Sequence, residues 1–147
     1  MNNRKVSVLM TVLNAENFLT KSINSILIQS YRNLELIIVD DYSIDNSKKL
    51  ITKIKDKRIK KYFLKKHVGR TKALNFGLSK CKGKYIAILD ADDIANKDRL
   101  KKQINFLQKS KNYQIVGSNV ILIDKRGNKI KKFYIPNNFH ELNKKIL

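Results

Sequence analysis

The sequence predicts an α/β fold: a mostly parallel sheet flanked by helices, with a hairpin at its C-terminal end. Three observations lead there. Short apolar runs alternate with segments of helical periodicity from residue 6 to residue 110. The runs at 6–13, 34–39 and 85–89 lack the two-residue alternation of a half-covered strand and read as strands buried on both faces. The chain's carboxylates collect just after two of these runs, where open α/β sheets bind ligands. Strand–helix alternation implies parallel pairing through right-handed crossovers.

Residues 6–13, VSVLMTVL, are rich in β-branched side chains and form the first predicted strand. Asn14 is placed to cap the following helix, which is expected to run to about residue 30. Phe18, Leu19, Ile23, Ile26 and Leu27 recur there at three- and four-residue spacing, giving one sheet-facing stripe. Tyr31, Arg32 and Asn33 make a turn into the second strand, 34–39, which ends in Asp40 and Asp41. Ser43, Asp45 and Ser47 offer caps for a short helix with Leu50, Ile51 and Ile54 inward. Residues 59–64 are a weaker strand, interrupted by Lys60 and Lys61. A loop at 67–69 leads into a helix over about 70–81, with Ala73, Leu74 and Leu78 buried and Gly83 as its stop.

Residues 85–89 are expected to be the central strand, running into Asp90, Ala91, Asp92 and Asp93. A helix over 97–110 carries Leu100, Ile104 and Leu107. Three short apolar pieces follow at 113–116, 120–123 and 130–135, and the turn residues Arg126, Gly127 and Asn128 make the last two a hairpin. Pro136 punctuates the chain, and 139–147 reads as helical. There is no repeat, linker or low-complexity segment, so residues 1–147 read as one domain.

The formal charge is +20, from 32 basic and 12 acidic residues. Of the basic residues 26 are Lys and 6 are Arg, and the Lys are spread along nearly every predicted element rather than gathered in one arm. Base and phosphate recognition favours the planar fork of Arg, so nucleic acid is not the expected partner. The charge reads as a solvated surface, with weak contact to an acidic membrane surface as the alternative. Cys81 stands alone, which excludes an internal disulfide framework and fits a reducing compartment. The N-terminal segment lacks a small-residue cleavage site, and no apolar stretch reaches the roughly 18 residues of a membrane helix. The expected location is cytoplasmic, with peripheral attachment at the inner face of the membrane as a variant.

The acidic residues are more informative because they are scarce. Half of them are Asp40, Asp41, Asp45, Asp90, Asp92 and Asp93. Three carboxylates within residues 90–93 repel one another, and a hard divalent cation, Mg²⁺ or Mn²⁺, would relieve the repulsion. That cation would in turn hold a phosphate. GxGxxG and Walker patterns, zinc clusters and nucleophilic triads are all absent. His67 and His140 read as structural. Asp40 and Asp41 fit either a nucleotide-base contact or the acidic pocket of a receiver domain. The receiver pattern is disfavoured, because a full strand and helix precede the pair and the later site has three Asp. Helix capping by Asp41 or Asp45 is the plain structural alternative.

Four segments taken together, VSVLMTVLNAENFL, LELIIVDDYSIDNS, HVGRTKALNFGL and GKYIAILDADD, resemble the N-terminal half of family 2 glycosyltransferases with the GT-A fold. The resemblance covers nearly the whole chain. It implies transfer of a sugar from a nucleotide diphosphate donor, with a UDP-sugar favoured, to a glycan or lipid-linked acceptor. By that match Thr11, Leu13 and Asn14 line the base and ribose pocket, although many relatives have an aromatic at the position of Leu13. Glu16 faces the nucleotide, and Asp41 accepts a hydrogen bond from the base, favouring uracil. Arg70 reaches the base or diphosphate. Asp90 binds the ribose or the metal's shell, Asp92 ligates Mn²⁺ or Mg²⁺ directly, and Asp93 caps the next helix. An inverting member takes its catalytic base from downstream, and neither Asp124 nor Glu141 suits that role, so the catalytic residue stays unassigned. The chain therefore reads as the donor-binding half of a longer enzyme, or of a truncated or decayed one, incomplete without its acceptor half and with an exposed apolar face that favours self-association. A nucleotidyltransferase is the alternative enzyme class, and a basic module binding nucleic acid or an acidic surface is the alternative without catalysis.

Overall fold

The computed structural model describes residues 4–110 and 112–134, in two compact units, Met1–Lys102 and Gln103–Leu147. The first unit holds β1 (Val6–Val12), α1 (Leu19–Leu27), β2 (Leu34–Asp40), α2 (Ser47–Lys53), β3 (Ile59–Phe63), α3 (Arg70–Leu78) and β4 (Tyr85–Ile88). Its four strands are parallel, in the order β3-β2-β1-β4. The chain builds outward from β1 to β3, and α3 then carries it back to the other side of β1. The order therefore reverses between β1 and β4, and in open α/β sheets the crevice at such a reversal is the ligand site.

β1 and β2 are the true centre. Leu9, Ile37 and Val39 point to one face and pack with Ala73 of α3. Strand alternation sends Val8, Met10, Leu36 and Ile38 to the opposite face, and all four are fully buried. Ala73 and Gly77 form the buried stripe of α3, and a Cβ on Gly77 would stand 2.3 Å from Leu9 Cδ1. The helix thus approaches the sheet too closely for a side chain at Gly77. Leu78, expected to be buried, is exposed, and Leu74 packs only partly.

β4 departs from expectation. It is the outer strand of this sheet, not the central one, and pairs only with β1 among the described residues. Ile86 and Ile88 are 47% and 50% exposed, while Leu89 just beyond is buried. An apolar run without alternation does not reveal which of its faces is covered, and here only one is.

α1 also starts later than expected. Asn14 adopts φ +51° and caps nothing, and the amides of Phe18 and Leu19 both donate to Ala15 O. The donors upstream are satisfied from a distance: Ala15 N–H by Ser47 Oγ at 2.9 Å, Glu16 N–H by Asp45 Oδ2 at 3.0 Å. Asp45 also accepts from Ser47 N at the start of α2. Ile51 of α2 is fully buried.

Helix α4 (Arg99–Lys109) buries Leu100 and Ile104. In the second unit β5 (Val120–Ile123) and β6 (Lys129–Phe133) form the predicted antiparallel hairpin. Asp124 closes it by accepting from the amides of Arg126 and Asn128, and Gly127 supplies φ +92°. Residues 113–116 are not a strand. The expected features at Pro136 and 139–147, with His140 and Glu141, lie outside the described residues. No described helix is long and apolar enough to cross a membrane.

A buried carboxylate ties the strand starts together. Glu35 accepts from Lys5 Nζ at 2.7 Å, Ser7 Oγ at 2.7 Å and Lys82 N at 2.8 Å, and Ser7 Oγ accepts from Gly83 N at 2.8 Å. Gly83 sits against this cluster so tightly that a Cβ would lie 2.4 Å from Ser7 N, so it is a packing requirement. It is not the expected helix stop, because α3 already ends at Leu78 with Ser79 as its C-cap. Burial pushes the Glu35 carboxyl up, but the bonds from Lys5, Ser7 and Lys82 outweigh it and hold the group below its usual 4.5. A depressed folded value adds stability above the unfolded pKa that is lost as pH falls through the folded one. Glu35→Gln is expected to lower stability at neutral pH by about 1–3 kcal/mol. Denaturant titrations at stepped acidic pH should show wild type losing this margin below the usual carboxyl range, with a flatter profile for the variant. Parallel profiles would refute the assignment.

Candidate functional site

A cleft of about 400 Å³ opens at the C-terminal ends of β1, β2 and β4, the switch point of the sheet. The end of β1 and its turn contribute Thr11, Val12, Leu13, Asn14, Ala15 and Phe18. Asp41 follows β2, Arg70 opens α3, and Asp90, Ala91 and Asp92 follow β4.

Two left-handed residues shape the rim. Asn14 at φ +51° and Tyr42 at φ +70° are the positive-φ residues other than glycine among those described. Their turns hold each other: Asn14 N–H donates to Ser43 Oγ at 3.0 Å, and Ile44 N–H donates to Asn14 Oδ1 at 2.9 Å. Such conformations cost about 1–3 kcal/mol each and persist where surroundings fix them, often at functional sites.

Asp40 and Asp41 are neighbours with different fates. Asp40 ends β2, is buried, accepts from Ser43 N at 3.2 Å through Oδ2, and its Oδ1 finds no partner. Asp41 turns into the cleft wall with its side chain 4% exposed. Its Oδ1 accepts from Val68 N at 2.8 Å and its Oδ2 from Gly69 N at 2.9 Å. His67 Nδ1 lies 2.9 Å from the same Oδ2. These contacts pin the 67–69 loop to β2, and Gly69 at φ +88° then aims α3 so that Arg70 meets the cleft.

Arg70 Nη2 reaches Asp90 Oδ1 at 2.7 Å, with both side chains exposed. Ser22 Oγ donates to Asp90 O, fixing the backbone where β4 gives way to the acidic loop. Asp92 is exposed on the cleft wall. The Asp93 carboxyl is pushed above its usual range, first by desolvation and then by the charges of Asp92 and Asp90, with Arg99 opposing. Asp93 does not cap α4, which starts six residues later; its amide instead closes a turn onto Asp90 O. No group of three or more His, Cys, Asp or Glu side chains converges as a metal cage among the described residues.

Thr11, Leu13, Asn14, Asp41, Arg70, Asp90 and Asp92 thus line one cleft. Glu16 does not line it; its carboxylate accepts from Asn46 N and Nδ2, both at 2.8 Å, and joins the β1 turn to α2. Sequence reasoning missed Phe18 as a lining residue and His67 as the partner of Asp41.

The sequence profile of Glycosyl transferase family 2 matches residues 7–146. The chain belongs to that family. It is 44% identical over 133 residues to an uncharacterized glycosyltransferase of Haemophilus influenzae, covering 89% of this chain and 53% of that one. It is 36% identical over 128 residues to WfgD of Escherichia coli, a UDP-Glc:alpha-D-GlcNAc-diphosphoundecaprenol beta-1,3-glucosyltransferase, covering 83% of this chain and 51% of that one. The crystal structure of S. aureus TarS 1-349 in complex with UDP-GlcNAc aligns with a TM-score of 0.67 at 29% identity, over 71% of this chain and 31% of that one. The chain thus spans about half the length of these two curated relatives. The predicted GT-A architecture of family 2 is the one present, with a mostly parallel sheet, flanking helices and an antiparallel hairpin.

Within this family member, Asp41 holds the wall of the cleft together. Asp41→Ala is expected to strip two loop amides of their acceptor, at a cost of roughly 1–3 kcal/mol. Amide hydrogen exchange at Val68 and Gly69 should accelerate well beyond that of β1. Equal protection in variant and wild type would show that the loop is held by other means.

Proposed function

We propose that this chain is the donor-binding half of a metal-dependent, inverting glycosyltransferase that takes a nucleotide diphosphate sugar, a UDP-sugar by preference, and delivers the sugar to a glycan or lipid-linked acceptor. The observation that supports it most is the joining of Asp41, Arg70, Asp90 and Asp92 on one cleft wall at the sheet's switch point. WfgD, by its name, uses UDP-Glc and a diphosphoundecaprenol-linked acceptor, and TarS holds UDP-GlcNAc.

The residues fit a divalent ion. Asp92 and Asp90 present hard oxygen ligands, and the Asp93 carboxyl beside them is raised first by desolvation and then by their charges. Mg²⁺ and Mn²⁺ commonly sit on one or two carboxylates and take their other ligands from water and substrate phosphates, so a full protein cage is not required. Asp92 would hold the ion, with Asp90 beside it. Bound there, the ion would act as a Lewis acid toward a diphosphate leaving group.

The chain's own groups do the rest. Thr11, Leu13 and Asn14 wall the nucleoside, and Asp41 offers the base an acceptor. Arg70, released from Asp90, would offer its fork to a phosphate. Preorganised charge of this kind is often the largest contribution to a rate enhancement. No carboxylate in the cleft wall is free to serve as an acceptor-side base: Asp41 is engaged, and Asp90 and Asp92 face the donor. The location proposed is cytoplasmic, at or near the inner membrane face, where a lipid-linked acceptor would be met.

UDP with Mn²⁺ is expected to raise the melting temperature by several degrees, and Asp92→Ala should lose the metal-dependent part of that gain. Salt-sensitive DNA binding without any nucleotide effect would instead favour a basic binding module. Sugar transfer by purified residues 1–147 should be negligible in a donor-turnover assay. Sustained transfer to an acceptor would place a base within this chain.

A further inference from the structure

The C-terminal rim of the sheet is not uniform. Along the order β3-β2-β1-β4, exposed lysines follow β3, exposed apolar side chains follow β2, and Asp90 and Asp92 follow β4. We propose that the β2–β3 end of this rim rests on an anionic lipid surface, with Tyr42 and Ile44 as its apolar foot and Lys48, Lys49, Lys65 and Lys66 as its charge contacts. The proposal gives the peripheral location above a contact surface and is independent of the donor reading.

Tyr42 adopts φ +70°, a conformation that suits glycine and is uncommon for a bulky side chain. Packing does not explain it: the side chain is 52% exposed and, among the described residues, neither stacks nor hydrogen-bonds. Ile44 is 85% exposed, and Asn14 Oδ1 holds its amide at 2.9 Å, so its outward position is fixed. The chain leaves β2 and β3 side by side here, since Phe63 is the strand partner of Asp40 and Leu64 N donates to Asp40 O. Lys48 Nζ stands 5.6 Å from the centre of the Phe63 ring, and Lys49, Lys65 and Lys66 are exposed on the flanking segments.

The carboxylates on this half are committed or buried. Asp45 accepts from the amides of Glu16 and Ser47, Glu16 accepts from Asn46, and Asp40 and Asp41 are buried. Tyrosine favours the membrane–water boundary, and each lysine beside an anionic leaflet strengthens attachment by roughly fivefold. The acidic loop after β4 lies two to three strand spacings away, about 10–14 Å. That exceeds the Debye length of about 8 Å at physiological salt, so the loop opposes the contact only weakly. A second copy docking on this patch would set lysine against lysine, which disfavours it.

Flotation with vesicles tests this, using phosphatidylcholine alone and phosphatidylcholine mixed with phosphatidylglycerol, without nucleotide. Wild type is expected to bind the anionic vesicles and not the neutral ones. Lys65→Gln with Lys66→Gln should weaken binding by about tenfold or more. Lys82→Gln with Lys84→Gln removes the same charge from exposed positions at the strand starts, and should change binding by less than about twofold. Tyr42→Gly with Ile44→Ser should weaken binding at least several-fold. Its melting temperature should hold or rise, because glycine suits φ +70°. No binding to anionic vesicles, equal losses from the two lysine pairs, or a fold destabilised by Tyr42→Gly with Ile44→Ser would each overturn the proposal. A lipid-free dimer lost in Tyr42→Gly with Ile44→Ser, seen by equilibrium sedimentation, would assign the patch to a second copy instead. The melting shift with UDP and Mn²⁺ should be the same in every variant. Its absence from wild type would sink the donor reading and leave vesicle binding to be judged alone.

Discussion

The carboxylate of Asp41 is the contact on which the cleft depends. Four hydrogen-bond sites on two oxygens are a small resource, and the structure assigns two of them to the amides of one loop, with the His67 ring beside them. Val68 N, Gly69 N and His67 Nδ1 all close on Asp41, which is itself fixed by its amide to Val12 O. β1, β2 and the start of α3 therefore meet at one buried charge. Arg70 faces Asp90 because the loop before it has no freedom to turn elsewhere. A buried carboxylate is costly when its oxygens lack partners, so the demand of Asp41 for donors organises the loop.

A second constraint comes from charge. The chain carries a formal +20, yet Asp90, Asp92 and Asp93 stand within four residues. Their mutual repulsion raises the Asp93 carboxyl, with burial the larger cause. Arg70 and Arg99 offset part of it from two different helices. Folding alone gains nothing from this crowding. The proposed function gives this crowding a use, as the seat of a cation that carries phosphate.

Much of this was legible in advance, and the failures follow a pattern. The buried strands β1 and β2, and the position of the acidic loops after β2 and β4, were legible because burial and local charge leave local signatures. The Asn14 cap failed because its role is long-range: its side chain serves Ile44, thirty residues away. Glu16 was drawn from the cleft by Asn46 for the same reason. Leu78 was mistaken for a buried position because nothing local shows how near a helix lies to a sheet, and Gly77 took the inner face. His67 read as structural, but a single imidazole in a lysine-rich stretch gives no hint of its partner 26 residues back.

The sequence by itself determined the parallel α/β class, the order of its elements and the placing of scarce carboxylates after two strands. Those features follow from side-chain chemistry along a short stretch of chain. Only the tertiary structure decided that β4 lies at the outside of the four-stranded sheet, that Asp40 is buried while Asp41 walls the cleft, and that Arg70 pairs with Asp90. Each of these depends on which distant segment fills a given lone pair or covers a given face, and pairings across 20 or more residues are set by packing.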